Sequence, residues 1–402
     1  MEEDNEEERQ NFNTVIKRIK NNDEGLKDFD LNDYIPEKYD DISNYVKDLV
    51  ISLQENQTIT ILNLGYCALK DENAILMAEA FTKNNVIEEL SLNHTNMGCN
   101  GFIAIIKSLK NNTSIKALYA PCNSIGVEGA ACLANFLIHN KEILFQFVLS
   151  PLIGEDGAKH FSQYIPTTLE TLDLSYNPIG NDGIKVIADS LCHNSSLKWL
   201  ALHDTNITCI GIKYIAKSLS TNDKLQFLNL CNNKIGDEGL LLLANAITKN
   251  SALETLALRR TGFTSEGVIS LANSLQSNQT LKNLYMSHDV IGSSGALAFV
   301  KLLGKNSGLE TLSLGYAGVA SIEIKAFATA LSTNTILKSF NLSGNPIGDE
   351  DARHLANALS KNLTLESLHA RDCAISDYGK SLLLNAQFQR EHMFGKTITI
   401  SC

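Results

Sequence analysis

The sequence predicts an α/β solenoid, in which strand–helix units stack with a parallel β-sheet along one face and helices along the other. Two observations predict this fold. A leucine pattern, LxxLxLxxN or LxxLxLxxT, starts at positions 59, 87, 115, 143, 169, 197, 225, 253, 281, 309, 337 and 365, and ten of the eleven intervals are 28 residues. A looser copy of the pattern starts at Leu26, and the 28-residue period reaches its last position at Met393, so the array has about 13 repeats. Such a fixed period is typical of repeat proteins.

Each unit contains two different periods. Its first half alternates apolar and polar residues like a short strand, as in Leu256 and Leu258. Its second half spaces apolar residues three and four apart on one helical face, as in Leu240, Leu243 and Ala244. Ten of the twelve regular units carry asparagine near the helix end. Because asparagine tolerates the left-handed conformation that ends helices, we expect it to adopt that conformation there.

Stacking of the units predicts the shape of the array. One unit cannot bury its own apolar face, whereas neighbouring units share a continuous core. Parallel strands lie about 4.8 Å apart, but packed helices need about 8–10 Å, so we expect a horseshoe with strands on the concave and helices on the convex face. We assign an acidic tail and N-terminal capping helix to residues 1–25, the repeat array to 26–392 with an irregular repeat at 143–168, and a C-terminal capping strand to 393–402.

The 28-residue period and the helical second half of each unit resemble the ribonuclease-inhibitor-like leucine-rich-repeat family, from about residue 26 to the C-terminus. A two-unit alternation strengthens the resemblance. Units with Asn or Asp at the ninth position carry Ile-Gly two residues later, as in Asn233 with Ile235 and Gly236, whereas the intervening units mostly do not. The same alternation is common in that family, and it indicates that the array grew by duplication of pairs of units.

The irregular repeat allows two strand phases. In strict phase Gln146 takes a leucine position and Leu144, Phe145, Phe147 and Leu149 face outward. A slip of one residue instead puts Leu144, Phe147 and Leu149 inside. The cost of burying a glutamine without partners favours the slip, whereas the retained Ile-Gly that follows favours strict phase. Both alternatives remain open from the sequence.

Composition excludes several classes of function. The chain has 34 basic and 45 acidic residues, a net charge of −11, which argues against nucleic-acid binding. No apolar stretch is long enough to span a membrane, and the acidic N-terminus, MEEDNEEERQ, does not resemble a signal peptide. Nine scattered cysteines without a CxxC pair predict free thiols in a reducing compartment. We predict no metal site and no cofactor.

No catalytic motif occurs in the sequence. GxxxxGK[ST], HExxH and GxSxG are absent. The dipeptides His203-Asp204 and His288-Asp289 are expected to be ordinary surface polarity, because a catalytic base also needs a pocket and a positioned partner. We therefore predict that the protein is not an enzyme and that it has no catalytic residues.

The candidate binding residues occupy strand positions that face away from the core. Aromatic and arginine side chains are the usual energetic anchors of protein interfaces. In the middle of the array we predict a partner-binding surface formed by Tyr176, Trp199, His203, Asp204, Phe227, Arg259, Arg260, Tyr285, His288 and Tyr316. The second position alternates acidic and basic residues on neighbouring strands, as in Glu254 and Lys282, which predicts a structural ladder of ion pairs.

These features predict a non-catalytic scaffold that binds a protein partner on its concave face, as a monomer and in the cytoplasm. The chain has forty asparagines and resembles stand-alone repeat effectors of intracellular bacteria such as Legionella. The resemblance implies release by a non-classical route into the host cytosol and a host protein as partner. The alternative is a regulator of an enzyme, such as a GTPase activator or an inhibitor of the same family. Those activators carry their acidic run at the C-terminus, whereas here it is N-terminal.

Overall fold

The computed structural model describes residues 2–35, 42–139, 146–148, 154–162, 169–306 and 308–402, and it confirms the predicted alternation of helices and parallel strands. The chain forms two compact units, Met1–Ala201 and Leu202–Cys402. Each unit contains seven α-helices and seven three-residue strands among its described residues, and the first unit also has two short 3-10 helices, Leu31–Tyr34 and Leu109–Asn111.

In the first unit every strand pair is parallel. Strands β1 to β4 pair in chain order, and so do β5 to β7. The helices are α1 Glu2–Lys20, α2 Ser43–Leu53, α3 Lys70–Phe81, α4 Cys99–Ser108, α5 Gly126–His139, α6 Gly154–Ser162 and α7 Gly180–Leu191. The strands are β1 Asp28–Asp30, β2 Ile61–Asn63, β3 Glu89–Ser91, β4 Ala117–Tyr119, β5 Gln146–Val148, β6 Thr171–Asp173 and β7 Trp199–Ala201.

The second unit continues the same alternation, and its strands pair in chain order in one parallel sheet. Its helices are α8 Cys209–Leu219, α9 Gly236–Ile247, α10 Ser265–Leu275, α11 Gly292–Leu303, α12 Ser321–Leu331, α13 Asp349–Leu359 and α14 Asp377–Phe394. Its strands are β8 Phe227–Asn229, β9 Thr255–Ala257, β10 Asn283–Tyr285, β11 Thr311–Ser313, β12 Ser339–Asn341, β13 Ser367–His369 and β14 Thr399–Ser401.

The repeated leucines form the core, as the pattern predicts. In β8 to β13 the middle residue of each strand is fully buried: Leu228, Leu256, Leu284, Leu312, Phe340 and Leu368. The helices present apolar side chains to the same core, among them Leu240, Leu243 and Ala244, which are also fully buried. Each buried leucine contributes about 1.5–3 kcal/mol. The residues that flank the middle positions, together with the loops after the strands, form a surface that we call the strand face.

In the irregular repeat, the backbone register of the described strand β5 agrees with the slipped phase. In the register of β5 with β6, Phe147 lies opposite Leu172 and Gln146 lies opposite Thr171. Phe147 therefore occupies the position that leucine takes in the other strands, which agrees with the cost of placing a glutamine there. Leu144, Phe145 and Leu149 lie outside the described residues.

A buried ladder of side chains explains the two-unit alternation. The Asn233 carboxamide oxygen accepts hydrogen bonds from the backbone N–H groups of Thr205 and Ile207, one repeat earlier, at 3.1 and 3.0 Å. Its amide donates to the carbonyl oxygens of Leu202 and Leu230 at 2.6 and 3.0 Å. Asn123 and Asn345 make the equivalent bonds. Because one asparagine serves the turns of two units, the intervening unit carries a small residue instead.

The asparagines near the helix ends have a different role from the predicted one. None of the nine in the described residues has a positive φ, so the expectation of a left-handed conformation was wrong. Asn278 instead donates to the carbonyls of Ile247 and Asn250 in the preceding repeat, at 2.8 and 3.0 Å. Its side-chain oxygen accepts from the N–H groups of Thr280 and Leu281. The residue recurs because it joins consecutive repeats through buried hydrogen bonds, which satisfy carbonyls at the helix ends.

The ends of the chain and its charges complete the fold. Helix α1 covers most of the segment predicted to be a tail and capping helix, and Met393 still lies in α14, so the last strand begins at Thr399. The predicted ion-pair ladder is confirmed on exposed side chains: Lys198–Glu170 at 2.8 Å, Lys282–Glu254 at 3.1 Å and Lys338–Glu310 at 2.8 Å. Of the described helices, none combines the length and apolar character that a membrane crossing requires.

Candidate functional site

The ten predicted binding residues are distributed over both compact units. Tyr176 and Trp199 belong to the first unit, and the other eight belong to the second. Trp199 and Phe227 each hold the first position of their strand and are half-buried. Tyr176 lies in the loop after β6 with 58% of its surface exposed.

The loop after each strand holds the eighth repeat position in the left-handed region. In all seven repeats that start between 197 and 365 this residue has a positive φ, with 54° for Arg260, 68° for His288 and 54° for Tyr316. This conformation costs an L-residue about 1–2 kcal/mol. Hydrogen bonds to the next loop hold it, since the three N–H groups donate to the carbonyls of Ser287, Gly315 and Ser343. The side chains at the eighth position therefore extend from a backbone whose conformation is fixed.

Four consecutive loops form one row of side chains in the second unit. The rings of His288 and Tyr316 stack with centroids 4.5 Å apart and an interplanar angle of 12°. The Tyr316 ring continues over Gly344, where an added Cβ would lie 2.3 Å from it. The Tyr316 hydroxyl donates a hydrogen bond to the Asp372 carboxylate, which raises the pKa of the tyrosine. We call His288, Tyr316 and Asp372 the rim row.

Arg259 and Arg260 lie beside the rim row, and both side chains are exposed. Partial burial lowers the pKa of His288 below its ordinary value of 6.5, and the two guanidinium groups lower it further. The histidine is therefore neutral at pH 7 and stacks as an uncharged ring. Tyr285, at the end of β10, is 39% exposed. The structure thus brings five of the predicted residues together on adjacent repeats.

The histidine and aspartate side chains of the two His-Asp dipeptides have different surroundings. His203 contacts the side-chain amide of Asn232 at 3.2 Å, and the neighbouring Asp204 is exposed. Asp289 was expected to be an ordinary polar surface residue, but it is buried. It takes the ladder position that Asn233 has in its own repeat. Its carboxylate accepts from the N–H groups of Thr261 and Gly262 at 2.8 and 2.7 Å, and burial raises its pKa.

The strand face of the first unit contains an acidic depression that the sequence analysis missed. It has a volume of about 640 Å³ and is lined by Asp28, Asp30, Asp33, Ile61, Asn63, Ser91, Asn93 and Tyr119. The signal was the alternation Asp-Phe-Asp in the loose first repeat, which puts both acids on the face opposite the buried Phe29. Next to this sheet the rings of Tyr66 and His94 stack at 4.9 Å.

Metal and thiol chemistry find little support in the described part of the chain. No group of three or more His, Cys, Asp or Glu side chains is arranged there to hold a metal ion. All nine cysteines are free thiols. Burial raises the pKa of Cys67 to about 12, and it also raises those of Cys132 and Cys231, which makes these thiols poor nucleophiles at neutral pH.

Comparison with known proteins agrees with the repeat architecture. A family model described as leucine-rich repeat matches residues 55–78, 166–188, 221–244, 249–272 and 333–356. No curated protein matches the sequence. Among solved structures, actin-binding site 2 of leiomodin-1 is 21% identical over 38% of this chain and 88% of that chain, with a TM-score of 0.33. The Rad7 and Elc1 complex in yeast is 13% identical over 94% of this chain and 91% of that chain, with a TM-score of 0.47.

Neither structural similarity bears on what this chain binds, since both TM-scores are below 0.5. The five family-model matches fall in both compact units. Each match includes a segment in which a buried strand residue is followed by a helix with a buried face. The repeated sequence pattern, the parallel strand–helix units and these matches together support a leucine-rich-repeat architecture in both compact units.

Proposed function

We propose that the protein is a non-catalytic scaffold that binds a partner protein through its strand face. Leucine-rich-repeat proteins generally act as interaction scaffolds, and the chain matches that repeat. The observation that carries the proposal is the rim row. Its aromatic rings are exposed and held in an ordered arrangement, although the packing of the core does not require them. Tyr316 is 43% exposed although it is stacked on one neighbour and hydrogen-bonded to another.

Packing within the repeat makes no demand for these side chains. The eighth position is Gly344 or Asn232 in other repeats of the second unit, with the same left-handed backbone. Likewise, Phe227 holds the first strand position in its repeat, whereas the same position is Thr255 or Thr311 in two other repeats. Aromatic side chains at such positions supply the contact area that dominates binding energy in protein interfaces.

Pre-organisation of the rim row favours binding. A flexible side chain that becomes ordered in an interface loses about 0.5–1.5 kcal/mol of conformational entropy. Tyr316 has already lost much of this freedom, because its ring stacks on His288 and its hydroxyl donates to Asp372. A partner that covers this row therefore binds a surface whose shape is set before the encounter.

The partner test uses the full chain and a matched pair of variants. A Tyr285→Ser/Tyr316→Ser variant removes two exposed rings from the strand face, and a Tyr378→Ser/Phe388→Ser variant removes two from helix α14, where they are 63% and 57% exposed. We expect affinity capture from host-cell lysate to lose its partner with the first variant and to retain it with the second. Loss with the α14 variant alone would place the interface on the helix side. Circular dichroism verifies that both variants fold.

The finer assignment is a bacterial effector that acts on a host protein. It rests on the forty asparagines and on the resemblance to stand-alone repeat effectors. In this assignment the monomeric chain is made in the bacterial cytoplasm and enters the host cytosol by a non-classical route. A translocation reporter fused to the chain should signal inside infected cells, and a signal that is equal in a secretion-deficient strain would contradict this assignment.

A further inference from the structure

The second unit carries two adjacent guanidinium groups, those of Arg259 and Arg260, that have no acidic partner among its described residues. The ion pairs of its described residues are Lys224–Asp223, Lys282–Glu254, Lys338–Glu310, and Arg353 and His354 with Glu350. Arg259 and Arg260 take part in none of them, and both are exposed. Exposed arginines are common, but two adjacent unpaired ones are notable in a chain with 45 acidic residues.

The backbone under the two arginines is fixed from both sides. The Arg259 carbonyl accepts a hydrogen bond from the N–H of Asn232 at 2.8 Å, and the Arg260 N–H donates to the Ser287 carbonyl at 3.3 Å. Arg260 is held at a φ of 54°. Both guanidinium groups are therefore carried by one anchored segment of the loop.

The acidic side chains at or beside the eighth positions form no ion pair with the two arginines among the described residues. Asp204, two repeats before Arg260, is exposed. Asp289 accepts hydrogen bonds from backbone N–H groups and is buried. Asp372 accepts from the Tyr316 hydroxyl. His288 feels the charges of both arginines and is neutral at pH 7. None of these carboxylates is ion-paired with an arginine among the described residues, so the guanidinium N–H groups of the pair stay available to a ligand, and the stacked rings beside them form an uncharged wall.

We propose that Arg259 and Arg260 bind the carboxylates of an acidic segment of the partner protein, with His288 and Tyr316 as the adjoining wall. This inference rests on the proposed function of the strand face. Arginine matches a carboxylate with two parallel N–H donors, and these charge-assisted bonds are about twice as strong as neutral ones. Charges elsewhere on the acidic chain matter little, because the screening length is about 8 Å at physiological ionic strength.

A short acidic peptide fits the row better than a nucleic acid does. A phosphate backbone is followed by a line of several cations, whereas the eighth positions on either side of Arg260 are Asn232 and His288, and the row ends on Asp372. The two lysines of the nearby strands, Lys282 and Lys338, are neutralised by Glu254 and Glu310. Exposed cations also lie in the loops after β8 and β13, at Lys234 and Arg371, but the eighth positions after Arg260 are a neutral histidine, a tyrosine and a glycine. The row therefore offers no continuous line of cations.

Fluorescence anisotropy with the full chain tests the proposal, with a labelled hexaglutamate peptide as the probe. We expect an Arg259→Gln/Arg260→Gln variant to bind it about tenfold or more weakly than the wild type. An Arg353→Gln/Lys361→Gln variant, which removes two positive charges near helix α13, should bind within about twofold of the wild type, since its charges are exposed and remote from the row. Equal weakening by both variants would reduce the effect to net charge and overturn the site.

Two further measurements separate the alternatives. A thymidine oligonucleotide that binds more tightly than the peptide, and loses binding with the arginine variant, would make this a phosphate site and overturn the carboxylate assignment. Capture of the partner from lysate distinguishes the two proposals. If the tyrosine variant loses the partner and the arginine variant retains it, the scaffold function stands and the acidic recognition fails. If both retain it, both proposals fail. Thermal melting controls for folding.

Discussion

Replacing Asn233 by alanine tests the buried ladder that joins alternate repeats. The side chain is 1% exposed and bonds to two loops that belong to consecutive repeats. Its removal leaves the N–H groups of Thr205 and Ile207 without an acceptor, and both residues are fully buried. The Leu230 carbonyl loses one donor, whereas the Leu202 carbonyl keeps the hydrogen bond from the Thr205 hydroxyl at 2.8 Å.

The magnitude follows from the orphaned groups. A buried polar group that loses its partner costs about 1–3 kcal/mol, so two N–H groups predict a loss of about 2–6 kcal/mol in the free energy of unfolding. Such a loss is a large fraction of the 5–15 kcal/mol that typically stabilises a domain. The matched control is Asn357→Ala, on the exposed side of helix α13, which should change stability by less than about 0.5 kcal/mol.

Urea unfolding followed by circular dichroism compares the two variants with the wild type. Because repeat arrays can open locally, amide hydrogen exchange at Thr205 and Ile207 supplies the local measurement. We expect both amides to exchange much faster in Asn233→Ala and to be unchanged in Asn357→Ala. Equal midpoints for the two variants, with protected amides at both positions, would refute the view that this asparagine couples the repeats.

Three further outcomes are expected. Leu256→Ala should cost about 2–5 kcal/mol in a thermal or urea melt, because the residue is fully buried between Leu228 and Leu284 on the adjacent strands; an unchanged melt would contradict the strand phase. Asp289→Asn should destabilise the protein at pH 7 by about 1–3 kcal/mol, because both carboxylate oxygens accept from backbone N–H groups and an asparagine side chain can accept through only one of these positions. Burial raises the folded pKa of Asp289 above its ordinary 3.8, so the wild type should lose stability as pH rises from that value through the raised pKa; the cost of the variant should shrink over this range, and a pH-independent difference would exclude this cause. Trp199→Ala should leave the circular dichroism spectrum intact and weaken partner binding by about 2 kcal/mol; an unfolded variant would make Trp199 a core residue.

The fold was predictable from the 28-residue period of the sequence and from the chemistry of single side chains. Leucine at a strand's middle position is apolar wherever the strand lies, so the buried row from Leu228 to Leu368 could be read directly from the sequence. The ladder of Lys282 and Glu254 was predictable for the same reason, because equal positions in consecutive repeats become neighbours in a parallel sheet. The predicted clustering of Arg259, Arg260, His288 and Tyr316 followed from that rule as well.

Contacts that depend on how the repeats stack in three dimensions could not be predicted from the sequence pattern. The hydrogen bond from Tyr316 to Asp372 joins residues 56 positions apart and passes over Gly344, whose missing side chain makes room for the ring. The role of Asn278 was misread because its partners belong to the preceding repeat and are identified only once the helices are stacked. Apolar burial depends on the residue itself, and the periodic sequence therefore predicts it. A hydrogen bond depends on where a second repeat places its donors and acceptors, which is set by packing between repeats.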